Sequence, residues 1–273
     1  MGRKRRGQLW LLAACAAIAC LAMSASALAT PGSLEWGKCT KVGSGGKYAN
    51  GGCTKLAKPG KEAWEWAPLA TAVKFTSQPP EGSGPFVIKA GGVSEISCTT
   101  MTQQEGEYNA PKELSNVMLE FGNCEASGVK CKSPGQPEGS IHTNKLHGGP
   151  GVIKKEAKEV KNLDGYDLKG QSSEVWAEWS CGLVSYVIRG GLIVPERNGE
   201  GKLQTNKMLN KRYVAFGLGG GGIERFEGGP NDYLESSVAG GPFEKAEVGL
   251  IAIQLTNPKT TKIELRQCEM NVC

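Results

Sequence analysis

The chain has 273 residues, 39% hydrophobic and 22% charged, with a formal net charge of +5 at neutral pH. That charge sits at the start: residues 1–29 hold four of the 32 Lys and Arg residues and no Asp or Glu, leaving 28 basic against 27 acidic side chains in residues 30–273. A balance of +1 argues against a nucleic-acid binder, which needs clustered positive charge against phosphate, and the remaining 244 residues suffice for one large domain with a sizeable core.

Arg3, Lys4, Arg5 and Arg6 open the chain, an apolar stretch runs from Leu9 to Met23, and Ala27-Leu28-Ala29 closes it in a small-x-small pattern. This is the layout of a secretory signal peptide. Residues 1–29 are therefore expected to be removed, and residues 30–273 to act outside the cytoplasm, secreted or at the cell envelope, where thiols oxidise. Two alternatives stay open. One is a retained anchor, although the run is short of the about 18–20 apolar residues of a span. The other is a lipoprotein: Leu12-Ala13-Ala14-Cys15 fits a lipobox, with Cys15 as the lipid site. Against it, the chain after Cys15 stays apolar through Leu28. No later apolar run is long enough for a transmembrane segment; the longest, Val248 to Ile253, reads as a buried strand.

Residues 30–68 are rich in Cys, Trp, Gly and Lys, and form either a small stapled lobe or the first hairpins of the main sheet. Trp64 and Trp66 lie two apart, so on a strand both point to one face, and Trp36 is close by in sequence. Exposed, these aromatics are candidate ligand-binding residues that stack on sugars; the alternative is that they cover the core or a disulfide, since large aromatics are mostly buried. The rest reads as a series of short strands between Gly, Pro and Asn punctuation. Phe86–Lys89 and Val93–Cys98 flank Ala90-Gly91-Gly92 as a hairpin. Alternating runs follow at Val117, Leu119 and Phe121, and at Val175, Ala177, Trp179 and Cys181. Tyr186, Ile188, Leu192 and Val194 make another, with Gly190-Gly191 as a bulge. Val214, Phe216 and Leu218 alternate, as do Ile251, Ile253 and Leu255, then Ile263 and Leu265. Ile153, Ala157 and Val160 have helical spacing within a Lys/Glu-rich run, with a solvated hairpin as the alternative. Weak Gly-Gly-Pro repeats set no solenoid period, and Gly219–Gly222 reads as a loop.

Two of the ten cysteines, Cys15 and Cys20, fall in the leader. The other eight are Cys39, Cys53, Cys98, Cys124, Cys131, Cys181, Cys268 and Cys273, and an even number in an exported chain reads as four disulfides. Spacing suggests Cys39 with Cys53, Cys124 with Cys131, and Cys268 with Cys273, which leaves Cys98 with Cys181. There is no Cys-x-x-Cys pair, and neither His142 nor His147 lies at zinc-finger spacing from a cysteine pair, so no metal and no cofactor is expected.

Catalytic signatures are sparse. His147-Gly148-Gly149-Pro150-Gly151 is similar to the oxyanion-hole motif of some α/β-hydrolases, but no Gly-x-Ser-x-Gly elbow exists and no His lies beyond 147, so it reads as a turn. His142 and His147 are five apart and share no face of a strand. The carboxylate neighbours Glu62/Glu65, Asp164/Asp167 and Glu174/Glu178 leave a two-carboxylate glycan hydrolase as the enzyme alternative.

The stretch Glu35-Trp36-Gly37-Lys38-Cys39-Thr40, with Gly46-Lys47-Tyr48, Cys53-Thr54 and Trp64-Glu65-Trp66, resembles the opening of a group of uncharacterised exported proteins from soil actinobacteria. The resemblance continues through Phe121-Gly122-Asn123-Cys124-Glu125, Ala177-Glu178-Trp179-Ser180-Cys181-Gly182 and Gly240-Gly241-Pro242-Phe243-Glu244. It implies export and a shared fold, and no activity or site residue. The terminal Cys268 and Cys273 depart from the pattern.

The expectation is one all-β, mainly antiparallel domain over residues 30–273, a disulfide-stapled sandwich or barrel with few or no helices after the signal peptide. The functional expectation is a non-catalytic envelope or extracellular protein that meets a cell-wall glycan or a surface protein through aromatics. A purely structural surface role is the other non-enzymatic reading.

Overall fold

The computed structural model describes residues 33–83, 85–91, 94–103, 105–154, 164–197, 208–216, 225–226, 229 and 233–268. Residues 1–29, expected to be a signal peptide, with Cys15, positions 157 and 160 of the charged run, Gly219–Gly222 and Cys273 lie outside them. Among the described residues there is no helix, and therefore none long and apolar enough to cross a membrane.

In chain order the strands are β1 (Ser33–Lys41), β2 (Trp64–Pro68), β3 (Val73–Gln78), β4 (Phe86–Ala90), β5 (Ser94–Cys98) and β6 (Thr100–Gln103). Next come β7 (Gly106–Ala110), β8 (Glu113–Val117), β9 (Leu119–Gly122), β10 (Glu125–Ala126), β11 (Val129–Lys132) and β12 (Ile141–His142). The middle holds β13 (Leu146–Gly148), β14 (Pro150–Lys154), β15 (Asp164–Gly170), β16 (Val175–Cys181) and β17 (Val184–Arg197). The last are β18 (Lys211–Phe216), β19 (Arg225–Phe226), β20 (Tyr233–Val238), β21 (Glu244–Asn257) and β22 (Glu264–Cys268).

Pairing is antiparallel throughout and closes on itself. One ring of eight strands runs β3-β7-β8-β13-β15-β17-β18-β21 and back to β3. A second ring of eight runs β4-β5-β10-β11-β16-β17-β20-β21 and back to β4. The two share β17 and β21, each 14 residues long. The first half of β17 pairs with β16 and β20, its second half with β15 and β18. Likewise β21 pairs first with β20 and β4, then with β18 and β3. Closure removes the unpaired edges that an open sheet of this size would present to other chains.

Each ring has a three-stranded sheet packed on it. In β2-β1-β22, Trp36 of β1 is fully buried and lies 5.1 Å from the Tyr108 ring and 6.1 Å from Tyr166, both on the first ring. In β12-β9-β6, Phe121 sits 6.2 Å from Phe86 of the second ring. Both sheets feed one apolar core, to which Leu34, Met101, Leu119, Ile141, Ile263 and Leu265 also belong. Burying a side chain of this size stabilises by about 1.5–3 kcal/mol relative to leaving it exposed. Residues 31–273 form one compact unit, and the N-terminal Cys/Trp-rich segment enters it through β1 and β2.

Three disulfides are defined among the described residues: Cys39–Cys53, Cys98–Cys124 and Cys131–Cys181. The first follows the spacing argument. The pairings Cys124–Cys131 and Cys98–Cys181 are corrected. Cys124 and Cys131 flank the tight β10–β11 hairpin, yet each side chain reaches across to a neighbouring strand, β5 on one side and β16 on the other. Cys268 is disulfide-bonded, and its expected partner Cys273 lies outside the described residues.

The shared strand β17 turns at Gly190, whose φ is +105° and whose would-be Cβ meets the Tyr233 carbonyl oxygen at 2.3 Å. Only glycine fits. Beside it β16 carries a register shift between Val175 and Ala177, so Trp176 and Trp179 are both buried although three apart. Gly190→Ala is expected to destabilise the protein by at least about 1–3 kcal/mol. In thermal denaturation it should lose clearly more than Gly240→Ala, whose site has φ +73° but open space around it; equal losses would refute the close-approach account.

Candidate functional site

The three candidate tryptophans do not make an exposed face. Trp36 points into the barrel with none of its surface exposed. Trp66, 5% exposed, packs with Tyr48, Cys53 and Cys268 in a second, smaller apolar cluster, and Trp64 lies half-buried against the same cluster. On β2 the two do share a side, as their spacing requires. That side covers the Cys39–Cys53 disulfide, which places them with the core-covering alternative.

Under Trp66 lies a buried charge pair that sequence reading passed over. Glu264 and Arg266 are two apart on β22 and so share a face. Glu264 is fully buried and Arg266 is 9% exposed. The Arg266 guanidinium donates to Glu264 at 2.9 Å, to the Tyr48 hydroxyl at 3.0 Å and to the Cys53 carbonyl at 3.0 Å. It also lies over the Trp66 ring at 5.1 Å. Burial pushes the Glu264 carboxyl above its ordinary value, against the pull of Arg266 and, farther off, Arg212. The pair is closed to solvent and ties β22 to the Tyr48 loop. Only the alternation of the two charges Glu264 and Arg266 with the apolar Ile263 and Leu265 signalled it.

The open concavity lies elsewhere. Along one edge β17 exchanges β16, paired up to Arg189, for β15, paired from Gly191; along the other edge Gly191 pairs with Tyr233, the first residue of β20. The sheet forks there, and the fork holds a cleft of about 400 Å³ between the end of β15, the turn 171–174 and the start of β20. Ile193 and the backbone of Gly190, Gly191 and Leu192 line it, the Leu192 side chain itself being packed in the main core; Asp167, Lys169, Ser172 and Glu174 stand around it, with Tyr233, 56% exposed, beside them. A second, smaller concavity of about 240 Å³ contains Glu178, Trp179 and Tyr186, but these two aromatics are buried and stacked on each other at 5.5 Å and 7°.

The remaining candidates find structural employment. Gly149 N–H donates to Asp167 Oδ1 at 2.6 Å, so that backbone donor of the His147–Gly151 motif is spent on tying β15. Asp167 Oδ2 pairs with Lys169 at 3.2 Å. Asp164, three residues from Asp167 on β15, is buried on the other face. Glu62 and Glu65 accept from the backbone at Gly60 and Lys47. Glu174 and Glu178 border different concavities. His142 bonds Ser140 and faces Glu120 at 3.7 Å. Among the described residues no three His, Cys, Asp or Glu side chains converge as a metal site would require.

Fold and site together define a disulfide-stapled, all-β barrel protein with an open cleft at a strand fork. No protein-family model, curated protein or solved structure matches the chain.

Proposed function

We propose that the chain is an extracytoplasmic, non-catalytic protein of the cell envelope or the surrounding medium, whose ligand is a glycan or a surface partner. The observation that carries this reading is the placement of its disulfides. Cys98–Cys124 and Cys131–Cys181 cross-link the second ring where its pairing is thinnest: one residue pair joins β5 to β10 and two join β11 to β16. A ring closed this way depends on an oxidising compartment. The signal-peptide layout of residues 1–29 and the resemblance to exported proteins of soil actinobacteria support the same location. A non-catalytic role is supported by the cleft itself, where both Asp167 oxygens are already held by donors.

The test is co-sedimentation of the oxidised protein, purified from the medium of an exporting host, with peptidoglycan and a panel of insoluble polysaccharides. Retention of the protein on a polymer without release of soluble sugar is the expected result. Release of sugar would establish the hydrolase instead, and failure to sediment with any polymer would remove the glycan from the reading.

A further inference from the structure

We infer that the cleft at the Gly190–Gly191 fork is a saccharide-binding site, with the Tyr233 ring as its stacking surface and Glu174 as a hydroxyl acceptor. The inference rests on the envelope-binding reading and gives it a place and a ligand chemistry.

Size comes first. About 400 Å³ lies within the roughly 300–1,000 Å³ range of ligand pockets. Chemistry narrows the class. A sugar ring has an apolar C–H face and a rim of hydroxyls that both donate and accept. The cleft offers the complement of each. Its wall is apolar at Ile193, on the face of β17 away from the main core, and Tyr233 presents an exposed aromatic surface beside it. The side chains of Ser172, Glu174 and Tyr233 are exposed at the rim, and no hydrogen bond or ion pair within the described protein engages them. One acidic group is free and the Asp167–Lys169 pair is neutral as a unit, so the cleft does not concentrate the positive charge a phosphate or sulfate ligand needs.

The backbone beneath the site is also pre-formed. Tyr233 is registered against Gly191, and the Gly190 backbone approaches the Tyr233 carbonyl too closely to admit any side chain. Two residues along β20, Glu235 holds Arg189 through both Nε and a terminal guanidinium nitrogen, at 3.0 and 2.9 Å. The Phe243 ring covers that guanidinium at 3.7 Å. A backbone fixed before the ligand arrives needs no ordering on binding. The smaller concavity at Glu178 offers less free aromatic surface, because Trp179 and Tyr186 are buried and stacked on each other.

The experiment is isothermal titration of the full oxidised protein with soluble cello-, xylo-, manno- and chito-oligosaccharides. Wild type runs beside Tyr233→Ala, Tyr233→Phe, Glu174→Gln and, as a distant control, Trp64→Ala, each checked for native circular dichroism. Tyr233→Ala is expected to weaken binding about tenfold or more, the scale of losing a stacked ring, and Tyr233→Phe to restore it to within about threefold, since the ring is retained. Glu174→Gln is expected to cost about tenfold, the scale of a hydrogen bond to a charged group. Wild-type binding that neither Tyr233→Ala nor Glu174→Gln changes would overturn this site and leave the envelope-binding reading standing. A protein that sediments with a polymer but binds none of these oligosaccharides would likewise overturn the site alone. Absence of binding to every polymer and every oligosaccharide would overturn both the site and the glycan reading.

Discussion

Arg266→Ala is expected to lower stability at neutral pH by about 3–5 kcal/mol, the cost of leaving a buried ion without its partner. The change strands the carboxylate of Glu264, which has no exposed surface. It also removes the donors to the Tyr48 hydroxyl and the Cys53 carbonyl, and with them the tie between β22 and the disulfide-stapled loop. The pH dependence has a definite sign. The folded Glu264 carboxyl already titrates above its ordinary value, and losing Arg266 raises it further. Between the unfolded and the folded value the native state binds the extra proton, so stability falls as pH rises through that window and returns on acidification. The Arg266→Ala deficit should therefore shrink towards pH 4.5 and widen towards pH 8, and an added Glu264→Gln should flatten the difference. Thermal melts across this range decide it: a deficit independent of pH would mean that lost packing, not the stranded carboxylate, carries the effect.

Cys131→Ala/Cys181→Ala is expected to cost about 4 kcal/mol, the chain-entropy value for a separation of 50 residues. Removing Cys39–Cys53, with a separation of 14, should cost about 3 kcal/mol on the same scale. Location distinguishes the first change more than size does. Cys131 and Cys181 face each other across β11 and β16, in a ladder of two residue pairs. Without the cross-link, amide exchange should rise in β5, β10 and β11 while β3, β7 and β8 keep their protection. Equal acceleration in both rings, followed by hydrogen exchange, would show that the bond steadies the whole molecule and not this seam.

The β class and the longer strands were legible because alternation at Val175–Cys181 and Tyr186–Val194 survives in β16 and β17. The hairpin around Ala90 was legible from its glycines, and β4 does pair with β5 there. Strands of two to four residues, such as β10 and β12, are too short to show a period, so the ring closures they complete were invisible. Alternation did not say which face turns inward. On β21, where Ile251, Ile253 and Leu255 alternate, Ala252 belongs to the main core, and Gln254 and Thr256 are buried with it, whereas Ile253 is buried outside that cluster. The reason is local: Gln254 accepts from the Tyr108 hydroxyl at 3.2 Å and is the cross-strand partner of the buried Arg212, so this part of the ring is lined by polar side chains. The tryptophans were recognised as a cluster, but burial depends on β22, which arrives some two hundred residues later in the chain. The cleft had a single hint, Gly190-Gly191, because it is made by a strand changing partners and not by any run of residues.

The shared strand β21 also sets a clock for assembly. Both rings require residues 244–257 to close, and the β1–β2 sheet requires β22 beyond them. A chain synthesised from its N-terminus therefore holds two open rings, and no finished barrel, until residues 244–257 are available to close them. Ring closure is then one late event, slowed by these long-range pairings, whereas Cys39–Cys53, Cys98–Cys124 and Cys131–Cys181 join strands and loops that all precede β21.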